Sequence, residues 1–171
     1  MGIRDRSGYL GWVKKDILQG YARKVRKAGG IDLQIIGVGG RGHVAFHESG
    51  IPFKGSSVML VKLDDNTVAN AVADGHFTTK KESPNYAVSM GAELVYKAKT
   101  VILLANGERK VEPVTQSILG DPSPEIPISY GQIYARRGGE LVYVLDRIAG
   151  KDLLANKKAL AAKGVTIREI R

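Results

Sequence analysis

Cysteine is absent from the 171 residues, which excludes disulfides and thiolate metal sites and is compatible with a reducing compartment. Aromatic residues are scarce at 6%, and they do not alternate with basic residues as base-stacking platforms would. No apolar run approaches the length of a membrane span, and the N-terminus lacks the hydrophobic core of a signal peptide. Internal repeats and low-complexity tracts are also missing. These absences predict a soluble cytoplasmic protein with no membrane partner. With 43% hydrophobic and 25% charged residues, the chain has an ordinary globular composition. Its length suits one domain, 1–171, able to bury a proper core.

Acidic residues are outnumbered, 17 to 26, giving a net charge of +9 that sits at the ends. Residues 1–27 carry +6 and residues 147–171 carry +5, leaving −2 for the middle. Near the N-terminus, Lys14, Lys15, Arg23, Lys24, Arg26 and Lys27 interleave with Leu10, Val13, Ile17, Tyr21 and Val25 at helical spacing. That pattern is the solvated face of an amphipathic helix, and a nucleic-acid partner is not expected.

The richest segment is Gly37-Val38-Gly39-Gly40-Arg41-Gly42-His43-Val44-Ala45-Phe46-His47-Glu48. It follows Ile31-Asp32-Leu33-Gln34-Ile35-Ile36, an apolar run that reads as a strand buried on both faces. Open α/β sheets build ligand crevices where strands end in glycines and present polar side chains. Glycine lets backbone N–H groups approach a bound group and tolerates positive φ. His43 is a natural proton-transfer group because its unperturbed pKa is near neutrality. Gly37, Gly39 and Gly42 also match G-x-G-x-x-G, with Asp64 and Asp65 downstream where a ribose-binding acid would stand. A dinucleotide site needs a long helix at the third glycine, and Ser49-Gly50-Ile51-Pro52 would stop one after about two turns.

The same segment, with Gly30 to Ile36 before it, resembles the signature of the glucosamine-6-phosphate deaminase/isomerase family: a buried strand, a glycine-rich turn, then D-G-H-(I/V)-(A/G)-F-N-E. Asp65-Asn66-Thr67-Val68-Ala69-Asn70 is similar to the family's D-T-R-x-A-N. Tyr86-Ala87-Val88-Ser89-Met90-Gly91 resembles its A-L-T-(M/V)-G turn, and Thr100 to Lys110 its strand followed by G-x-x-K. The resemblance covers nearly the whole chain and the later part of the family's domain. It implies a sugar-phosphate ligand; no cofactor and no metal are expected. His43 would assist sugar-ring opening, Glu48 would be one of two orienting carboxylates, and Lys110 would hold the phosphate beside the turn Gly39, Gly40, Arg41 and Gly42. Three positions depart from the pattern. Arg41 stands where the other carboxylate belongs, Thr67 where a phosphate-binding arginine belongs, and His47 where an asparagine belongs. Arg41 is expected to lower the pKa of His43.

The family's opening strand, phosphate loop and proton-transferring aspartate have no counterpart before the first helix, so the chain reads as N-terminally truncated relative to the family. Without that aspartate, isomerisation lacks a proton carrier worth roughly 10²–10⁴-fold in rate. Two functions are therefore expected from the resemblance: an amino-sugar phosphate deaminase/isomerase with impaired turnover, or a non-catalytic sugar-phosphate-binding or regulatory relative.

Plainer roles compete at several positions. His43 and His47 with Glu48 could suggest a metal pair, but the H-E-x-x-H order is absent. His76 reads as a surface loop residue, Lys110 could simply stand exposed at a helix start, and Asp64 and Asp65 could cap the following turn.

Element order predicts an α/β fold, a mainly parallel, Rossmann-like sheet with helices on both faces, the truncated sugar-phosphate isomerase fold. Helices are expected from Ser7 to Lys27, Thr67 to Ala73, Met90 to Ala98, Arg109 to Leu119 with Pro113 in its first turn, Tyr130 to Ala135 and Lys151 to Lys163. Strands are expected at Ile31–Val38, Val58–Leu63, Thr100–Ala105, Glu140–Leu145 and Val165–Ile170. Bereft of neighbours, the first strand would expose an apolar edge, predicting a homo-oligomer that covers it or an N-terminal helix packed over it.

Overall fold

The structure, a computed structural model, describes residues 11–170. Strands are β1 (Leu33–Gly37), β2 (Val58–Lys62), β3 (Tyr86–Met90), β4 (Thr100–Ala105) and β5 (Glu140–Leu145). Helices are α1 (Gln19–Lys27), α2 (Asp65–Ala73), α3 (Ala92–Val95), α4 (Val111–Leu119), α5 (Tyr130–Arg136), α6 (Lys151–Ala155) and α7 (Lys157–Ala162). A wider π-helical stretch, Val13–Leu18, leads into α1. Val13 and Ala22 are buried while the basic residues face outward, as the amphipathic spacing predicts. Ser7, the expected cap, lies outside the described residues. At the other end Gly29 and Gly30 take φ of +92° and +93°, and the Gly30 N–H bonds the Val25 carbonyl at 3.0 Å to stop the helix.

β1, β4 and β5 form a parallel sheet in the order β1-β4-β5, in register as Ile35↔Ile102↔Val142 and Gly37↔Leu104↔Val144. β2 and β3 pair antiparallel as a separate ribbon, with Leu60 opposite Val88. The parallel α/β sheet matches the expectation. Its chain path steps the same way twice, from β1 to β4 and from β4 to β5. Crossovers between parallel strands are right-handed, so two steps in one direction place both sets of connecting helices on one face.

Burial follows that rule. Ile36, Val101, Leu103 and Ala105 point into a core completed by Val95, Tyr96, Val114, Ile118, Ile128, Leu153 and Leu160. On the opposite face Leu33 is 51% exposed, Ile35 56%, Leu104 46%, Val142 39% and Val144 45%. Among the described residues no helix covers that face, so the helices expected on both faces are found on one. The reading of residues 31–36 as buried on both sides is corrected for the same reason: β1 is an edge strand with one bare face.

Four further expectations shift. The stretch read as a helix from Met90 begins with the end of β3, and its helix is the single turn α3, opened by Gly91, where a Cβ would run into the Ser56 carbonyl. The last long helix breaks at Asn156, whose φ and ψ of −112° and 35° separate α6 from α7. Residues 165–170 form no strand. The N-terminal helix lies against the β2–β3 ribbon, where the Tyr21 hydroxyl reaches the Met90 sulfur at 3.9 Å, so it is not the cover expected for β1.

Candidate functional site

Because β1 and β4 are parallel neighbours, their carboxyl ends lie side by side, and the residues that follow each strand share one rim of the sheet. After β1 the chain makes a tight turn, with the Gly42 N–H bonded to the Gly39 carbonyl at 2.9 Å and the Gly39 N–H to the His43 carbonyl at 3.1 Å. Gly39 and Gly42 have distinct reasons to be glycine. A Cβ on Gly39 would occupy the His43 imidazole, and Gly42 combines φ of +78° with a site where a Cβ would meet Ile126 Cγ2 at 2.7 Å. Gly40 and Arg41, at the crest, are exposed. No helix starts at Gly42. An isolated antiparallel bridge, Val44↔His47, turns the chain instead, so the pyrophosphate seat of a dinucleotide fold is missing from this turn.

His43 is folded back over Gly39 and lies 3.7 Å from Glu48 through Nδ1 and Oε2. Both side chains are largely withdrawn from water. Glu48 is fixed from its other oxygen by the Asp64 N–H at 3.3 Å. Asp64 in turn caps α2 by accepting from the Asn66 N–H at 2.8 Å, the capping role expected of it, and its second oxygen meets Arg41 at 2.8 Å. Burial pushes the pKa of His43 below its ordinary value, Glu48 opposes this, and the Lys110 ammonium adds to it. The histidine is therefore neutral at pH 7. The direction expected from Arg41 is right but its cause is different: Arg41 is neutralised by Asp64 and projects into solvent, while desolvation does the work.

Lys110 arrives from β4. Gly107, at φ +81°, starts the turn, and its N–H is held by the Asp146 carboxylate at 3.1 and 3.2 Å. The turn leads through Lys110 into α4, and the Lys110 ammonium donates to the Val38 carbonyl at 2.7 Å. The lysine is half-buried rather than simply exposed, and desolvation, followed by Arg109, pushes its pKa down. One of its three N–H donors is used, leaving two for a bound anion. His43, Glu48 and Lys110 thus meet on one rim, Arg41 stands beside them, and Thr67 is buried in the first turn of α2. His76 is exposed, as a surface loop residue should be.

The sequence reading missed the work of His47. This imidazole is fully buried, accepts from the Ala92 N–H at Nδ1 (3.0 Å) and donates from Nε2 to the Ile51 carbonyl at 2.9 Å. It ties the loop after His43 to the start of α3, and burial lowers its pKa. Its four-residue spacing from His43 reflects this staple, and among the described residues no cluster of three or more metal-ligating side chains occurs. Asp146 was missed as well, since nothing local in the sequence ties it to a turn 39 residues earlier. Two open clefts are lined by none of His43, Glu48 and Lys110: one is bordered by Glu108, Thr115 and Lys151, the other by Tyr96, Tyr130 and Arg137. No helix among the described residues is long and apolar enough to cross a membrane.

No protein-family model matches the chain. Curated relatives do. Glucosamine-6-phosphate deaminase of Clostridium acetobutylicum is 38% identical over 134 residues, which are 78% of this chain and 52% of that protein. The enzyme of the same name from Clostridium botulinum is 39% identical over 133 residues, with the same two coverages. Among solved structures, a monomeric glucosamine-6-phosphate deaminase superposes with a TM-score of 0.70 at 28% identity, over 78% of this chain and 53% of that one. The 6-phosphogluconolactonase of Trypanosoma brucei shares the fold alone, with a TM-score of 0.53 at 19% identity. The chain spans about half the length of the curated relatives it matches, and over that span it resembles the later part of a glucosamine-6-phosphate deaminase.

Proposed function

We propose that this rim is the ring-handling part of an amino-sugar phosphate site of the deaminase/isomerase type. The observation that carries the reading is the meeting of a neutral, half-buried His43 with Glu48 and Lys110 at the ends of two adjacent parallel strands. Opening a pyranose requires the anomeric hydroxyl to lose a proton as the C1–O5 bond breaks, and O5 to gain one. A neutral imidazole takes the first proton and returns it to the second oxygen. Glu48, on the Nδ1 side, stabilises the imidazolium formed in between and is itself held by the α2 cap. Lys110 supplies a localised cation and two donors for the phosphate, and the turn Gly39, Gly40, Arg41 and Gly42 lets backbone approach the sugar.

A second reading, a sugar-phosphate-binding relative without turnover, draws on Arg41 and Thr67. At position 41 the family pattern has a carboxylate, and here the arginine is tied to Asp64. At position 67 the pattern has a cation, and here a buried threonine stands.

Ammonia release from glucosamine-6-phosphate by the purified chain separates the two. Release that His43→Ala abolishes supports the first. Thermal protection by the sugar phosphate that Lys110→Ala removes, without release, supports the second. A folded chain that neither turns over nor binds the sugar phosphate refutes both.

A further inference from the structure

Of the five asparagines in the chain, Asn106 alone precedes a glycine; the others precede Thr67, Ala71, Tyr86 and Lys157. An Asn–Gly pair is prone to self-modification, because the next backbone nitrogen can attack the side-chain amide with no Cβ in the way. The surroundings of Asn106-Gly107 favour that attack in every respect but one. Asn106 is exposed, and its side-chain amide has no hydrogen-bond partner among the described residues. Gly107 stands at φ +81°, with no atom within 4 Å of the place a Cβ would take. The exception is the Gly107 N–H, which both oxygens of Asp146 accept, at 3.1 and 3.2 Å. That carboxylate is itself anchored by the Ala149 N–H at 2.7 Å, and the Asp146 N–H bonds the Ala105 carbonyl at 3.3 Å. Asp146 is thus tied to the chain on both sides of Asn106. The Gly107 nitrogen must lose its proton before it can attack, and a carboxylate beside it opposes the amide anion that would form.

We propose that Asn106 is a latent deamidation site that the Asp146 carboxylate holds closed while the chain is folded. In the reaction, base removes the Gly107 amide proton, the nitrogen bonds to Asn106 Cγ, and the Cγ–Nδ2 bond breaks to release ammonia. The five-membered imide that remains takes up water at either carbonyl. Cleavage of the new Cγ–N bond leaves aspartate; cleavage of the original peptide bond leaves isoaspartate. Water is the only reagent consumed. Either product puts a carboxylate at position 106, and isoaspartate adds a methylene to the main chain between β4 and the turn that carries Lys110. Asp146 therefore acts on that turn twice, fixing its shape and preserving its covalent structure. The inference does not rest on the sugar-phosphate reading, and its test reads peptide mass rather than binding or turnover, so one can fail without the other.

The test incubates the full chain in mildly alkaline buffer and follows each asparagine by peptide mass spectrometry. Conversion at Asn106 should be at least tenfold slower in the folded parent than in the same chain unfolded in urea, as expected when a charge-assisted hydrogen bond must break first. Asp146→Ala, shown to be folded by circular dichroism at the incubation temperature, should convert Asn106 at least tenfold faster than the parent, with Asn66, Asn70, Asn85 and Asn156 unchanged. Lys151→Ala cuts the ion pair from Glu108 in the same turn but leaves the carboxylate on Gly107, and should keep the parent's rate. His47→Asn weakens the fold elsewhere and should keep it too, which separates the effect from a general loss of stability. The proposal is overturned if the folded parent deamidates at Asn106 as fast as the unfolded chain, or if folded Asp146→Ala is no faster than the parent. Should that variant not fold, base-catalysed hydrogen exchange of the Gly107 N–H in the parent decides, because it reads the same proton loss. Strong protection upholds the proposal, and exchange at the rate of an open amide overturns it.

Discussion

Replacing His47 with alanine removes a side chain that satisfies two backbone groups from inside the protein. The Ala92 N–H donates to Nδ1 at 3.0 Å in a fully buried setting, and leaving such a donor unpaired costs about 1–3 kcal/mol. The Ile51 carbonyl, bonded to Nε2 at 2.9 Å, is only half-buried, so water recovers much of that loss. Deleting a fully buried ring also leaves a void edged by Phe53, whose ring centroid is 6.1 Å away, and large-to-small core changes cost roughly 2–5 kcal/mol. These contributions overlap, and we expect His47→Ala to lose about 3–5 kcal/mol, a large share of the ~5–15 kcal/mol typical of a whole domain. His47→Asn, the residue of the family pattern, can keep one of the two bonds and should lose roughly half as much. Urea unfolding followed by circular dichroism reads both, as a lower midpoint at unchanged slope. A loss below about 1 kcal/mol in the alanine variant would show that His47 is not the staple, and the reasoning from its two bonds would fail.

Acidification should destabilise the chain. His43 and His47 both titrate below 6.5 when folded, so as pH falls through 6.5 the unfolded chain takes up protons first and the folded state loses ground. Urea midpoints measured between pH 8 and 5 should be flat above 6.5 and fall beneath it, and His47→Asn should flatten part of the slope; a midpoint rising toward pH 5 contradicts the assignment. Asp146→Ala strips the carboxylate from the Gly107 and Ala149 N–H groups, and should cost about 1–3 kcal/mol in unfolding free energy. It should also weaken sugar-phosphate binding by titration calorimetry, because that turn positions Lys110. Gly39→Ala should displace His43 and lower the urea midpoint by the equivalent of roughly 1–3 kcal/mol, the usual cost of overpacking. Arg41→Ala, which breaks an exposed pair, should stay within about 1 kcal/mol of the parent by the same measurement.

What was legible in the sequence tracks how local the signal is. β4, β5 and α4 stand where their apolar runs and flanking glycines place them, because both ends of each are marked within a few residues. β3 was lost because its strand runs directly into Gly91 and α3, and its partner β2 is separated by the whole of α2, so no short hairpin signal joins them. At the site, His43, Glu48 and Lys110 were visible as residue types in a recognisable order, while the contacts that position them were not. Asp64 holds Glu48 across 16 residues, Asp146 holds Gly107 across 39, and His47 holds Ala92 across 45. Local spacing carries no record of such pairs.

The apolar run at β1 failed as a forecast of burial for a different reason. Ile35 and Ile36 are both isoleucine, although one faces the core and the other side of the strand faces water. An alternating strand with one wet face would carry polar residues at positions 33 and 35, as antiparallel edge strands do. The same excess recurs in register, at Leu104 on β4 and at Val142 and Val144 on β5. Composition that is apolar on both faces of three adjacent strands describes a sheet enclosed on both sides. The direction of the chain path explains why the described residues enclose only one. Charged substitution at Ile35 is therefore expected to be mild for the isolated chain, where the residue is already in water, and severe for any assembly that buries it. A melting temperature for Ile35→Lys several degrees below that of the parent chain, measured on the isolated protein, would mean that this face is packed in the lone chain after all.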